Sequence, residues 1–177
     1  MLDKNRLYSI PLLRQNGWQP TNRTDLKQKY AELERMYQKR MYQKNQNICY
    51  VPQVTLKEIF PAARQVIESF EGICIKNFHF ELGMGRDSNI IEFGFFEYDR
   101  SNVYDLQMLS NQIQERLLFI GIGYDIIGDW LIAESERIYF FNKMSDRLHL
   151  ISKNIYEFFE RDIYRVQDIN GINIFDN

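Results

Sequence analysis

The sequence predicts an α+β domain, a central and mainly antiparallel sheet of about five to six strands packed with helices at the N-terminus, in the middle and at the C-terminus. Three observations predict it. Apolar residues recur at three- and four-residue spacing near both ends and in the middle of the chain, the pattern of helices that bury one stripe. Between residues 117 and 150 four strand-like runs are separated only by turn-length gaps. A parallel crossover needs a dozen or more residues, so these strands must run antiparallel. The 177 residues, with 13 Phe and 11 Tyr, are enough for one core. A single domain is expected over 1–166, followed by a tail at 167–177.

In residues 3–16, Leu7, Ile10, Leu12 and Leu13 have helical spacing, and Pro11 must start or kink the element. One short helix ending before Gly17 is expected. Trp18-Gln19-Pro20 reads as a turn, because the residue before a proline is pushed to extended geometry. From Thr24, a good N-cap, Leu26, Tyr30, Leu33, Tyr37 and Met41 mark a long amphipathic helix over 24–44 with a basic outer face, stopping around Asn45-Gln46-Asn47. Thr55 and Glu58 fit a capping box, but Pro61 favours a regular helix over Pro61–Phe70, with proline at its first position. Ala62, Val66, Ile67 and Phe70 should face inward, and Gly72 follows at the stop.

Ile73–Leu82 and Ile90–Tyr98 read as a hairpin across the turn-rich, mobile loop 83–89, with one register slip that marks a bulge. A polar helix over 103–116 presents Val103, Leu106, Leu109 and Ile113. Strands follow at Leu117–Gly121, Asp129–Ala133, Arg137–Phe141 and Arg147–Leu150. The amphipathic run KNIYEFFERDIYRV closes the domain, with Ile155, Phe158, Phe159 and Ile163 on one face.

Composition excludes several function classes. No run approaches the roughly 20 apolar residues of a membrane span, and MLDKNRLYSI has no apolar stretch of signal-peptide length, so a cytoplasmic protein without membrane contact is expected. Cys49 and Cys74 lack CxxC spacing and read as reduced, buried thiols. His79 and His149 lie in strand-like runs among apolar residues and read as sheet-face histidines. Gly83-x-Gly85 and Gly121-x-Gly123 lack the context of a phosphate-binding loop, and no Ser or Cys lies in a nucleophile motif. No catalytic residue, metal or cofactor is expected.

Charge is segregated. Residues 1–44 hold ten Lys or Arg against four Asp or Glu, and residues 45–177 hold twelve against twenty. The basic helix around Lys39, Arg40 and Lys44 superficially resembles a nucleic-acid surface, but Tyr37 and Tyr42 are needed for packing and no direct nucleic-acid contact is expected. An acidic later half can steer a basic protein partner.

Gly17-Trp18-Gln19-Pro20 followed by Arg23, then the helix ending Ile67-Glu68-Ser69-Phe70-Glu71-Gly72-Ile73, resembles the opening of the third family of the SUKH superfamily, whose best-known bacterial members are immunity proteins against secreted toxins. Ile120-Gly121 before a turn, Gly128-Asp129 opening a strand, Arg137-Ile138-Tyr139 in the next, and a helix after one further strand continue the likeness over residues 8–163. There are three departures. The arginine after Pro20 stands one position late, the basic helix is longer than the family pattern, and Glu136 stands where the family often has glycine. A non-glycine there disfavours positive φ, so the local hairpin is expected to differ.

The resemblance implies an antitoxin that binds and occludes a cognate toxin, of which a nuclease domain best suits the acidic later half. Occlusion needs no reactive group. Glu71, Asp99, Asp125, Glu134 and Glu136 are the candidate partner-binding carboxylates. The motif residues Gly17, Trp18, Pro20, Arg23, Gly128, Asp129 and Tyr139 are expected to be structural, the aromatic ones packing and the arginine and aspartate pairing. Two other readings are a regulatory interaction module without a toxin, and an enzyme in which Asp125, Asp129, His149 and Cys74 converge.

Overall fold

The structure, a computed structural model, describes residues 2–42, 56–81, 87–94, 100–123, 128–160, 164–165 and 172–173. Proline divides the first helical segment in two. Helix α1 (Lys4–Ser9) is capped by the Asp3 carboxylate, which accepts from the amides of Asn5 and Arg6. Helix α2 (Pro11–Gln15) starts at Pro11, where a missing N–H costs nothing, while Ile10 is held extended at φ −74°, ψ 116°. One helix was expected over 3–16; the constraint on the residue before proline makes it two. Leu7, Ile10 and Leu13 are buried across both.

Helix α3 (Leu26–Tyr42) is capped by Asp25 rather than Thr24. The Asp25 carboxylate accepts from Lys27 N at 2.9 Å and Gln28 N at 3.3 Å. The Asp25 carbonyl also accepts the first helical bond, from the Lys29 amide at 2.9 Å, and one residue earlier the Thr24 amide donates to the Glu68 carbonyl at 2.8 Å, tying the helix start to the next helix. The expected stop at 45–47, and Thr55, lie outside the described residues. Helix α4 (Pro61–Phe70) has the expected bounds and buries Ala63, Val66, Ile67, Ser69 and Phe70. Ala62, expected inward, is only partly buried.

The strands are β1 (Cys74–Glu81), β2 (Asp87–Phe93), β3 (Leu117–Gly123), β4 (Gly128–Ala133), β5 (Ile138–Asn142) and β6 (Arg147–Ser152), with two-residue strands β7 (Tyr164–Arg165) and β8 (Ile172–Asn173). Helix α5 (Arg100–Ile113) joins β2 to β3, and α6 (Ile155–Glu160) follows β6. The sheet order is β7-β1-β2-β3-β4-β5-β6-β8, antiparallel throughout except where β7 runs parallel to β1. The expected α+β arrangement and the β3–β6 meander are both present.

Several boundaries move for local reasons. Strand β2 begins at Asp87, so 87–89 belong to the sheet rather than to a mobile loop, and the expected bulge falls between Ile75 and Phe78. Helix α5 stops three residues early because Gln114 adopts φ +54° and the Glu115 amide turns back to the Ser110 carbonyl, which closes the helix as a Schellman motif does. Tyr164–Arg165 pair with β1 rather than extending α6. Helix α6 is held at its start by Asn154, whose side chain accepts from the amides of Tyr156 and Glu157, while Glu157 reaches back to the Lys153 amide at 2.7 Å. No helix among the described residues is long and apolar enough to cross a membrane.

The sheet separates two cores by the alternation of its strands. Leu118, Ile120, Trp130, Ile132, Ile138, Phe140 and Ile151 face the larger one, which α1–α4 and α6 fill with Trp18, Phe70, Phe158 and Phe159. Leu117, Phe119, Leu131, Ala133, Tyr139, Phe141 and Leu148 face the other, with Leu106 and Leu109 of α5. At the β1 edge the Asn16 side chain pairs with the backbone of Lys76, accepting from its N–H at 2.9 Å and donating to its carbonyl at 3.5 Å. This stands in for a neighbouring strand and blunts an edge that would otherwise template strand addition.

Candidate interaction surface

Gly17-Trp18 is the C-terminal cap of α2. Gly17 adopts φ +81°, its amide donates to the Arg14 carbonyl, and the Trp18 amide donates to the Leu13 carbonyl at 3.0 Å. These are the paired bonds of a Schellman motif, in which glycine takes the left-handed position and an apolar residue follows it into the core. Trp18 is fully buried, stacks on Phe70 with ring centroids 5.8 Å apart, and donates its Nε1 proton to the Ser69 carbonyl at 2.9 Å. The Lys4 ammonium donates to the carbonyls of Pro20 at 2.7 Å and Asn22 at 3.1 Å, fixing the chain on its way to α3.

The later motif residues sit in the sheet. A Cβ on Gly128 would collide with the Phe140 ring and lie 2.5 Å from the Phe141 carbonyl oxygen, so β4 can start there only with glycine. Asp129 is buried beside Lys143 at 2.9 Å. Tyr139 is buried in the smaller core, which raises its hydroxyl pKa chiefly by desolvation. Arg23 departs from the expected pairing. It is exposed and makes no hydrogen bond or ion pair among the described residues.

The candidate carboxylates divide. Glu71 is not the exposed acid expected: its side chain is 10% exposed and lies 2.9 Å from the Lys29 ammonium. Asp99 and Asp125 lie outside the described residues. Glu134 and Glu136 are exposed in the β4–β5 turn. That turn is closed by the Glu136 amide donating to the Ala133 carbonyl at 3.0 Å and the Ala133 amide to the Arg137 carbonyl at 2.8 Å. Glu136 has φ +72°, so the glutamate takes the left-handed conformation that its side chain disfavours and glycine would adopt without penalty. Beneath the turn, Arg137 donates to the Glu115 carboxylate and to Ser135 Oγ, and Ser135 donates to Glu115 at 2.8 Å. Glu134 lies 3.8 Å from Arg116, a half-exposed pair worth about 0–1 kcal/mol. Glu136→Gly should raise stability by about 0.5–1 kcal/mol, the left-handed strain relieved less the greater chain entropy of glycine. Urea denaturation measures it, and a loss of stability would refute the strain argument.

Residues 10–161 match the SUKH-3 immunity protein family. The chain belongs to that family. No curated protein and no solved structure matches it. The match runs from the residue before α2 to the one after α6, so all the motif positions above lie inside it. In this SUKH-3 protein the motif positions hold a helix cap, a buried indole, a close-packed glycine and a buried aspartate paired with a lysine at the surface.

The enzymatic constellation does not assemble. Cys74 begins β1 and His149 lies in β6, separated by five strand spacings, roughly 24 Å. Cys74 is free and partly rather than fully buried, and His149 is buried. Among the described residues no group of three or more His, Cys, Asp or Glu gathers as a metal site would require. Side-chain positions at His79 and Cys49 lie outside what is described. Sequence reasoning did not find the Glu115–Ser135–Arg137 network, the seat of Arg116 over the Phe60 ring at 5.5 Å, or the cleft beside Arg23. The pairing of β3 with β4, Leu117 opposite Ala133, brings Glu115 up to the β4–β5 turn that carries Arg137, and nothing local in sequence signals it.

Proposed function

We propose that this SUKH-3 protein is a cytoplasmic antitoxin that binds a secreted or contact-delivered bacterial toxin, a nuclease, and neutralises it by occlusion without chemistry or a cofactor of its own. The observation that carries the reading is the family match across residues 10–161. Occlusion requires a rigid surface complementary to the toxin. The β4–β5 turn supplies one rigid element, because backbone bonds close it and the Glu115–Ser135–Arg137 network braces it from below. Its exposed Glu134 and Glu136 supply carboxylates that stand in for substrate phosphates toward a basic active site, and Asp99 and Asp125 are proposed for the same role from their charge alone. The excess of acids after residue 44 sets the long-range field.

Co-expression with the toxin encoded beside it should restore growth, and failure to do so would exclude that toxin as the partner. Stopped-flow association with the same toxin should slow roughly tenfold or more between low and physiological salt, since charges more than about 8 Å apart are screened at 0.15 M. Reversing Asp125, Glu134 and Glu136 to lysine should lower the on-rate while the circular dichroism spectrum is retained. An on-rate indifferent to both salt and charge reversal would replace the acidic surface with an apolar, aromatic-centred contact.

A further inference from the structure

Arg23 is the one residue of the motif for which the fold offers no partner among the described residues. The nearby Lys4 is bound to two carbonyls and Lys29 to Glu71, whereas the side chains of Arg23 and Lys27 make no hydrogen bond or ion pair among the described residues. Both line a cleft of about 490 Å³ between the start of α3 and α4, with Arg64 and Glu68 on its other wall. The walls are tied together by the Thr24 amide bonding the Glu68 carbonyl, and the Arg64 guanidinium is steadied by the Leu56 carbonyl at 3.0 Å. The helix end itself offers the ligand little, because Asp25 already takes the amides of Lys27 and Gln28.

We infer that this cleft is a second contact site for the protein partner and takes one of its carboxylate side chains, on Arg23 and Lys27 with Arg64 behind them. The inference rests on the proposed antitoxin function for its partner. Three cations and two carboxylates, Asp25 and Glu68, leave a surplus of one positive charge, which one carboxylate balances. A guanidinium fork offers a carboxylate two parallel hydrogen bonds. A phosphate backbone fits worse, because its successive charges would meet Asp25 and Glu68 within the same cleft. The contact also differs in sign from the acidic turn, so the two together would fix the orientation of a partner that has a basic active site and an acidic flank.

The test uses the full chain. Arg23→Ala and Arg23→Glu should melt within about 2 °C of the parent protein, since the side chain holds nothing in the fold. A drop of several degrees would make Arg23 structural and overturn the inference. Amide spectra titrated with N-acetylglutamate amide should show saturable shifts at Thr24, Lys27 and Glu68. The neutral N-acetylglutamine amide should produce none, and Arg23→Glu should weaken the glutamate response several-fold. Equal responses to the two amides, no effect of Arg23→Glu, or tighter binding of inorganic phosphate at the same amides would each overturn it. With the neighbouring toxin, Arg23→Glu should raise Kd roughly tenfold. If the parent protein binds the toxin and Arg23→Glu binds it equally, the cleft assignment falls and the antitoxin function stands. If the parent protein does not bind while the glutamate titration succeeds, the function fails for that toxin and the carboxylate site stands.

Discussion

Trp18→Ala is expected to lower stability by about 3–5 kcal/mol, a large share of the roughly 5–15 kcal/mol that holds a domain of this size together. The indole is fully buried against Phe70, and its removal leaves a cavity where α2, α4 and the sheet meet. The Ser69 carbonyl also loses its donor. Trp18→Phe separates the two contributions: it refills most of the volume but leaves the carbonyl unpaired, for about 1–3 kcal/mol. Urea denaturation at constant m-value is the measurement. A Trp18→Ala protein as stable as the parent would mean that the family's tryptophan is not the anchor its burial indicates.

Phe158→Ala should cost a similar amount, about 3–5 kcal/mol, from the other end of the same core. Phe158 is fully buried and meets Trp130 edge-on at 5.1 Å, Phe159 at 5.0 Å and Phe93 at 6.3 Å, with interplanar angles of 72°, 76° and 89°. Edge-to-face contacts of this kind add about 0.5–1.5 kcal/mol per pair beyond burial. Phe158→Leu should therefore lose less than alanine and more than volume alone explains. Because α6 is only six residues long, it depends on this ring rather than on helical propensity. Loss of Phe158 should release α6 first, seen as faster amide exchange at Phe159 and Glu160 than in the β3–β6 meander. Uniform loss of protection across the sheet would show that α6 and the sheet unfold as one unit.

The two anchors show how residues far apart in sequence come to share one core. Trp18 belongs to a helix cap and Phe158 to the last described helix, yet both pack around Phe70 and Phe93, Trp18 by stacking on Phe70 and Phe158 through Phe93 and Phe159. The surface follows the same logic. Arg6 near the N-terminus stacks on Tyr156 at 4.4 Å and forms a two-pronged pair with Glu160 at 2.6 and 2.8 Å. The hydrogen bond from Arg6 holds the Glu160 carboxyl below its usual pKa. These contacts tie α1 to α6 across the whole chain.

What the sequence determined by itself was whatever depends on local chemistry. Helix α4 was legible to the residue because proline at its first position and glycine past its end mark both limits, and the β3–β6 meander because turn-length gaps leave antiparallel pairing as the only connection. The family was legible because its short motifs are mostly local devices, a glycine helix cap above all. Tertiary structure decided the rest, because the deciding partner was distant in sequence. Glu68 took the Thr24 amide, and Lys29 took Glu71 out of the exposed acids. The pairing of β4 with β5 held Glu136 at a positive φ that its own side chain disfavours, and the cleft between α3 and α4 left Arg23 without the partner expected for it. Hydrogen bonds and ion pairs formed across 40 or more residues leave no periodic signature in the chain, so which charged side chains stay exposed became readable only once the two cores had placed them.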